Sequence, residues 1–319
     1  MTPREKFIKA LKREKFTGHV PHFELVFFLT MESIGKVHPS HRNYGQWNQM
    51  SKNERKQHIR DIALCHTEIA EKYNHFAIFV HPNPHTEEVM TAIHEEIREL
   101  SGDKYFLLSY SDPTLSIPNG NNMVDFSVDL YERPEKIHEQ LKRNLENEIK
   151  RCDFWKKHGG LVDGFGMCSD YCFNVNCFFT PELFDEFITP YLSEIIAYFR
   201  SSGFYSIKHT DGNINGIVQK MVDCKPDAIH SIDPQGGVDL KTIKKQYGDK
   251  VCLIGNVNCG LMQTGTIEEM EADVRRSLRD GMEGGYGYIF STSNCVFTGL
   301  ELDRYEKMHK IWREEGIYK

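Results

Sequence analysis

Short apolar runs alternate along this chain with longer segments in which apolar residues recur at helical spacing. The short runs are rich in β-branched and aromatic residues, which favour strands. They predict eight strands, namely Val20–Phe28, Phe76–His81, Tyr105–Tyr110, Leu161–Met167, Phe204–His209, Asp227–Ile232, Val251–Val257 and Tyr286–Ser291.

The longer segments predict amphipathic helices between these strands. The clearest are Ser51–Tyr73, Arg133–Lys157, Pro181–Ser201, Ile214–Val222, Leu240–Tyr247, Ile267–Gly281 and Glu301–Glu314. Thr180 before Pro181 is typical of a helix start, because the hydroxyl caps the helix and proline is tolerated at the first helical position. Thr266 and Glu269 fit a capping box.

Strands that alternate with helices indicate parallel pairing, and eight such units favour closure. The sequence therefore predicts an α/β protein, a (β/α)8 TIM barrel in which residues 1–319 form one domain. An open doubly wound sheet is the alternative. The pattern is weakest over His85–Val128, where Pro118 and the Asn119–Asn122 segment predict a long loop or an inserted hairpin.

The composition narrows the class of protein. The chain is 39% hydrophobic and 27% charged, as in a globular protein, and its formal net charge of -7 argues against a nucleic-acid partner. No apolar run approaches the roughly 20 residues that a membrane helix needs. The charged start of the chain lacks the apolar core of a signal peptide. We therefore expect a cytoplasmic protein with no membrane partner, whose nine cysteines are reduced.

In a parallel barrel the active site lies at the C-terminal ends of the strands. Residues with side chains suited to catalysis or ligand binding gather at these predicted ends: His22, Glu24, His81, Asp170, Tyr171, His209, Asp211, His230, Asn256, Cys259 and Cys295. Their repeated placement is the main indication of an active site.

A metal site is one interpretation of this pattern. His209 and Asp211 can reach one point if the chain turns between them, and Cys295 can complete a three-ligand set. Cys259, after the seventh predicted strand, can lie close by. Imidazole, carboxylate and thiolate are zinc ligands, and three protein ligands leave a position open for substrate. The segment that starts at Asp211 equally fits a turn and helix cap, so the residues alone leave the metal site open.

Several motifs, concentrated in the second half of the chain, carry a family resemblance. They are Phe178–Phe187 followed by Pro190, His209–Asn213, Ser231–Pro234 and Leu253–Val257, together with Thr2–Phe7 and the last helix. They resemble the uroporphyrinogen decarboxylase superfamily over nearly the whole chain, most specifically from about Gly164 onward. The resemblance implies a (β/α)8 barrel, in agreement with the strand count.

The superfamily has two main branches. True uroporphyrinogen decarboxylases carry an arginine-rich N-terminal segment that grips the substrate carboxylates, whereas the equivalent Pro21–Phe27 contains no arginine. In the zinc-dependent, corrinoid (cobalamin)-linked methyltransferases, a His-x-Cys step and a distant C-terminal cysteine bind the metal. This chain is similar to them at His209 and Cys295, but Asp211 stands where the first cysteine is expected. The resemblance implies a Zn²⁺ site in which Asp211 is the third ligand, with Glu24 as a further candidate.

The resemblance also implies a function. We predict a zinc-dependent methyltransferase that moves a methyl group between a small substrate, a methoxylated compound or a thiol, and a corrinoid protein that carries methylcobalamin. The predicted catalytic residues are Glu24, Asp170 and Tyr171, and the predicted substrate-binding residues are Asn256, His81 and His230. The alternatives are a metal-free decarboxylase of a porphyrinogen-like or other carboxylated substrate and a non-catalytic corrinoid-handling protein. The oligomeric state stays open.

Overall fold

The computed structural model describes residues 1–319 and is built around a curled parallel sheet. Its strands are β1 (Gly18–His19), β2 (Ala77–Phe79), β3 (Phe106–Tyr110), β4 (Gly164–Met167), β5 (Tyr205–His209), β6 (Ala228–His230), β7 (Cys252–Val257), β8 (Tyr288–Thr292) and β9 (Ile317–Tyr318). Strands β2 to β8 pair in chain order and in parallel, whereas β1 pairs antiparallel with β9. Seven of the eight predicted strands are therefore confirmed, with shorter bounds.

The remaining predicted strand, Val20–Phe28, is not a regular strand. Its first residues nevertheless lie between β8 and β2. The backbone N–H of Phe290 donates to the Pro21 carbonyl (2.8 Å), and that of Phe76 donates to the His22 carbonyl (2.8 Å). Pro21 has no N–H to give to a ladder, which interrupts regular pairing. This segment closes the sheet, so the barrel prediction is confirmed and its eighth regular strand is corrected to an irregular segment.

Thirteen α-helices accompany the strands. They are α1 (Pro3–Leu11), α2 (Thr30–Ile34), α3 (Lys52–Lys72), α4 (Glu87–Ser101), α5 (Met123–Glu132), α6 (Pro134–Lys157), α7 (Pro181–Phe187), α8 (Thr189–Ser201), α9 (Val218–Asp223), α10 (Leu240–Tyr247), α11 (Cys259–Thr264), α12 (Ile267–Gly281) and α13 (Leu302–Glu315). Not one of them combines the length and apolar character needed to cross a membrane.

The loop expected over His85–Val128 is confirmed only for residues 111–122, which contain no helix or strand, whereas α4 and the first part of α5 occupy much of the rest. Helix α4 begins after Thr86, whose hydroxyl accepts the Val89 N–H (3.3 Å). Its buried residues, among them Val89, Met90, Ile93 and Ile97, recur at helical spacing between glutamates. Most of its glutamates are exposed, which is the pattern of an amphipathic helix, so the sequence already carried the signal for α4.

The single helix expected over Pro181–Ser201 is two helices, α7 and α8, that meet at Ile188. Pro190 explains the break, because proline cannot donate the hydrogen bond that would continue α7. The predicted starts are confirmed: the Thr180 hydroxyl accepts the Leu183 N–H, and Thr266 forms a capping box with Glu269.

Strand register decides which side chains meet at the rim of the barrel. His209 pairs with His230 across β5 and β6, and Asn256 pairs with Ser291 across β7 and β8. One continuous hydrophobic cluster of 83 buried residues fills the rest of the interior. Polar groups buried at the C-terminal rim therefore depend on one another for hydrogen bonds.

Candidate functional site

Three side chains of metal-ligand type converge at the C-terminal rim. Asp170 follows β4, His209 ends β5, and Asp211 comes two residues later. One ligand atom of each lies within 4.8 Å of the other two. His209 Nε2 is 3.6 Å from Asp211 Oδ1 and 3.9 Å from Asp170 Oδ1. This group, called the rim cluster below, contains two of the three predicted metal ligands, His209 and Asp211, and adds Asp170, which the sequence predicted as catalytic.

A tight turn after β5 builds the rim cluster. Gly212 has a φ of +80°, and a Cβ there would lie 2.6 Å from the carbonyl oxygen of Phe173, so the turn requires glycine. The turn packs the loop after β5 against the loop after β4, where the Asp211 N–H donates to Asp170 Oδ1 (3.2 Å). The following short helical turn is capped by Asn213, not by Asp211. The Asp211 side chain is thus directed to the cluster rather than to a cap.

The Asp211 carboxylate is only partly compensated for its charge: the Asn294 amide donates to its Oδ2, and hydrogen bonding from Ser231 lowers its pKa. Its Oδ1 is buried and has no hydrogen-bond partner. Burial and the negative charge of Asp170 together raise the pKa of Asp211 to about 7. A buried carboxylate is costly without a partner. Asp211 is therefore placed to take up either a proton or a cation.

His209 supplies a neutral ring nitrogen. Burial, with the nearby charge of Lys208, lowers the pKa of His209 to about 3, so the ring is uncharged at neutral pH. Its Nδ1 lies 2.7 Å from His230 Nδ1, which leaves Nε2 to face the two carboxylates. A neutral imidazole with one free nitrogen is the form that binds metal ions.

The rim cluster fits a divalent cation. One imidazole nitrogen and two carboxylates are suitable zinc ligands, and three protein ligands leave a position free for substrate. The unpartnered Asp211 oxygen is the observation that supports this fit. Two oxygens and one nitrogen form a harder set than the nitrogen, oxygen and sulfur set predicted from the sequence, and such a set also suits manganese or iron.

Cys295 lies beside the rim cluster but not within it. The neighbouring Asn294 donates its side-chain amide to Asp211 Oδ2 and accepts the Cys295 N–H (2.6 Å). Burial and the charge of Asp211 raise the pKa of the Cys295 thiol to about 11. Cys259, at the start of α11, is buried and also outside the cluster. The role of Cys295 as a metal ligand stays a prediction, and Asp170 is the third residue whose ligand atom lies within 4.8 Å of those of His209 and Asp211.

Glu24 is buried behind the rim cluster, where its carboxylate is fully engaged. Its Oε2 accepts from Thr292 Oγ1 (2.6 Å), from the Thr292 N–H (3.2 Å) and from Ser291 Oγ (3.2 Å), while Oε1 lies 3.2 Å from His22 Nε2. His230 is fully buried between His209 and Ser291. Neither residue belongs to the cluster, so the predicted catalytic role of Glu24 and the substrate contact of His230 stay predictions.

Tyr171 and Asn256 use their polar atoms on protein partners. The Tyr171 hydroxyl lies 2.7 Å from Thr114 Oγ1, and the side chain is fully buried. The Asn256 amide donates to the Ile232 carbonyl (2.8 Å) and accepts from Arg276 (3.1 Å). Both residues hold loops of the rim in place, and their predicted contacts with substrate stay predictions.

His81 follows β2 and carries a buried ring nitrogen, Nε2, that has no hydrogen-bond partner. Burial and the neighbouring His85 lower the pKa of His81 to about 4, so the ring is neutral. Its ring centroid is 4.0 Å from that of Phe79. His81 lies outside the rim cluster, and its predicted contact with substrate stays a prediction.

Sequence reasoning missed a buried ion pair next to the rim cluster. Lys208 donates to Asp112 Oδ2 (2.8 Å) and to the Ser169 carbonyl (2.9 Å), and its ammonium lies 4.3 Å from the centroid of the Tyr171 ring. Both charged side chains are 0% exposed. A lysine inside the buried strand β5 was the available signal, whereas Asp112 lay in the segment with the weakest pattern.

The chain has the same fold as a methyltransferase from Methanosarcina mazei, with a TM-score of 0.71 and 16% identity over 99% of each chain. At this identity the similarity establishes the fold alone. A sugar phosphate isomerase/epimerase from Parabacteroides distasonis (TM-score 0.46, 8% identity, 91% of this chain and 95% of that one) and a β-mannanase from the blue mussel Mytilus edulis (0.48, 9%, 93% and 93%) are more distant. A comparison with curated protein sequences finds no match.

A family model supplies the more specific relationship. The model of the uroporphyrinogen decarboxylase (URO-D) family matches residues 118–315, which is more than half of the chain and includes the whole rim cluster. This match confirms the resemblance carried by the sequence motifs. The chain belongs to the uroporphyrinogen decarboxylase family.

Proposed function

We propose that this protein is a zinc-dependent methyltransferase whose metal ion is held by Asp170, His209 and Asp211. The carrying observation is the convergence of these three groups on one point of the rim, with the Asp211 Oδ1 buried and unpartnered. The fold that the chain shares with a methyltransferase is consistent with the proposal. Zinc is chosen over other divalent ions from the resemblance to the zinc-dependent branch of the superfamily.

The rim cluster has one closed side and one open side. The side chain of His209 is 7% exposed, whereas those of Asp211 and Asp170 are 24% and 45% exposed. Substrate therefore approaches past Asp170, while His209 is held from behind. A zinc ion supplies a Lewis acid that polarises a substrate oxygen or lowers the pKa of a substrate thiol.

The ligand types favour an oxygen substrate. Thiolate ligands place more negative charge on zinc than carboxylates do, and the rim cluster contains carboxylates only, beside one imidazole. A less electron-rich zinc is the stronger Lewis acid for an ether oxygen. We therefore rank demethylation of a small methoxylated compound above methylation of a thiol. In either direction the methyl group is exchanged with a corrinoid protein that docks at the rim.

Decarboxylation of a porphyrinogen fits this rim less well. A polycarboxylate substrate needs arginine or lysine partners. The loops after β4 and β5 instead present Asp170 and Asp211, and the nearby Lys208 is already paired with Asp112. These carboxylates repel an anionic substrate unless a cation lies between them.

The test is a methyl-transfer assay under anaerobic conditions. Zinc-loaded protein is mixed with cob(I)alamin and a panel of methoxylated aromatic compounds, and in parallel with methylcobalamin and a panel of thiols. Absorbance follows the cobalt state. We expect zinc-dependent transfer that falls more than about 100-fold in His209→Ala. Asp185→Asn, at an exposed carboxylate paired with Lys220, is the matched control and retains transfer.

Two results contradict the proposal and separate its alternatives. Zinc-independent release of carbon dioxide from a porphyrinogen carboxylate, without methyl transfer, favours the decarboxylase. Absence of both reactions and of bound zinc favours a corrinoid-handling protein without turnover.

A further inference from the structure

A chain of buried hydrogen bonds runs from the rim cluster to Glu24. His209 Nδ1 lies 2.7 Å from His230 Nδ1, His230 Nε2 lies 3.3 Å from Ser291 Oγ, and Ser291 Oγ lies 3.2 Å from Glu24 Oε2. All four side chains are buried, and the two histidines face each other through strand register. No solvent-exposed group interrupts the chain, so each member takes its proton arrangement from its neighbours.

The far end of the chain is an acceptor. His22 Nδ1 lies 3.0 Å from the Tyr73 carbonyl oxygen, so this nitrogen carries a hydrogen. His22 Nε2 lies 3.2 Å from Glu24 Oε1 and 3.4 Å from the Tyr305 hydroxyl oxygen. With Glu24 ionised, its Oε2 accepts the Thr292 N–H (3.2 Å) as well as the Ser291 hydroxyl (3.2 Å).

The direction of every other bond follows from that acceptor. Ser291 has one hydroxyl hydrogen and gives it to Glu24, so it offers His230 only a lone pair. His230 Nε2 must therefore carry the hydrogen of that neutral ring. Its Nδ1 is then an acceptor, and the hydrogen in the short contact between the two rings belongs to His209 Nδ1.

We propose that Glu24, Ser291 and His230 are positioning residues that hold His209 in the Nδ1–H tautomer, so that its Nε2 lone pair faces Asp170 and Asp211. Three acceptors then converge with no hydrogen among them when Asp211 is ionised, which is the arrangement a cation requires. The value of this arrangement for metal binding rests on the proposed function, whereas the tautomer itself does not. Metal-binding histidines are commonly fixed through the other ring nitrogen in this manner.

The tautomer is measured directly in metal-free protein by long-range proton–nitrogen NMR on ¹⁵N-histidine-labelled samples, with the two rings assigned from His209→Gln and His230→Gln spectra. The expected result is hydrogen on Nδ1 of His209 and on Nε2 of His230. Hydrogen on Nε2 of His209 would overturn the inference whether or not the protein binds zinc. The expected tautomers in a protein that binds no zinc would leave the inference standing and remove the proposed function.

A variant series tests the transmission along the chain. Ser291→Ala removes the acceptor for His230 and is expected to give mixed tautomers at His209 and a zinc affinity about 10- to 100-fold lower, with unchanged stoichiometry. Ser291→Thr keeps the hydroxyl and is expected to restore both readouts. Ser206→Ala is the matched control, because Ser206 is a buried serine on β5 whose hydroxyl donates to Asp227 (3.0 Å), outside the chain. Equal effects of Ser291→Ala and Ser206→Ala on the His209 tautomer would contradict the inference.

Discussion

Two groups of ionisable side chains lie next to each other at the barrel rim, and only one of them contains a lysine that balances a buried carboxylate. Lys208 and Asp112 form an ion pair of 2.8 Å with both side chains 0% exposed, and Asp112 also accepts hydrogen bonds from Ser169 and Thr114. The next residue along β5, His209, faces the carboxylates of Asp170 and Asp211, and no lysine or arginine is paired with either of them.

The two buried carboxylates show the difference most clearly. Burial raises the pKa of Asp112, but the charge and hydrogen bonds of Lys208 outweigh it, so the pKa lies below its ordinary value. Burial and Asp170 raise the pKa of Asp211 to about 7. A group whose charge is satisfied inside the protein stabilises the fold, whereas a group left unsatisfied at the mouth of a barrel is a candidate for ligand binding.

Breaking the buried ion pair gives the largest expected effect. Lys208→Met leaves Asp112 buried without its cation and is expected to lower the free energy of unfolding by about 3–5 kcal/mol, measured by urea unfolding. Lys220→Met, which breaks an exposed pair with Asp185, is the control and costs less than about 1 kcal/mol. Similar losses in both variants would show that the buried pair has no special weight.

Substitutions in the rim cluster are expected to lower metal affinity rather than the free energy of unfolding. Asp170→Asn and Asp211→Asn each remove one anionic ligand and are expected to lower zinc affinity in calorimetric titration more than about 100-fold. This loss exceeds the roughly 10- to 100-fold loss expected for a residue that contacts a ligand and not the metal itself. Both variants keep the metal-free protein folded, because neither carboxylate holds a cation in the fold. Zinc affinities within a factor of about three of wild type would remove both residues from the ligand set.

The pH dependence of stability distinguishes the two carboxylates by sign. The pKa of Asp211 is raised in the folded state from 3.8 to about 7, so its contribution to stability is present below about pH 4 and is lost as the pH rises to about 7. In metal-free protein, the free energy of unfolding of Asp211→Asn relative to wild type is therefore expected to rise by about 1–3 kcal/mol when the pH is raised from about 4 to about 8. Equal differences at both pH values would contradict the raised pKa.

Asp112→Asn is expected to show the opposite sign in the same experiment. Its pKa is lowered in the folded state, so its contribution is present above the ordinary pKa and is lost as the pH falls. The Asp112 variant therefore loses more stability at about pH 8 than at about pH 4. Matching signs for the two variants would mean that Lys208 does not compensate Asp112.

The smallest expected effect concerns Cys295. Because its thiol lies outside the rim cluster, Cys295→Ala is expected to lower zinc affinity less than about tenfold. The measurement is the same calorimetric titration. A loss equal to that of Asp170→Asn would return Cys295 to the ligand set, as the sequence predicted.

The sequence predicts the barrel well because strand and helix patterns are local. The alternation of short apolar runs with amphipathic segments predicted seven strands and most helices. It failed where Pro21 interrupted the ladder, and the amphipathic pattern of α4 was passed over. The strand-end rule also placed His209 and Asp211 at one rim, as the structure shows.

The ligand grouping itself was harder to predict. Whether Asp170 or Cys295 joins His209 depends on loop geometry, here the turn at Gly212 and the amide of Asn294, which no periodic pattern encodes. The partners of Glu24 depend in the same way on β8 lying beside the irregular closing segment.

The most direct test of the central claim is anomalous X-ray diffraction at the zinc edge from crystals soaked in zinc. We expect one strong peak at the rim, within about 2.0–2.2 Å of His209 Nε2 and of carboxylate oxygens of Asp170 and Asp211. No peak at the rim in zinc-saturated crystals, or a zinc ion bound without His209, would contradict the claim.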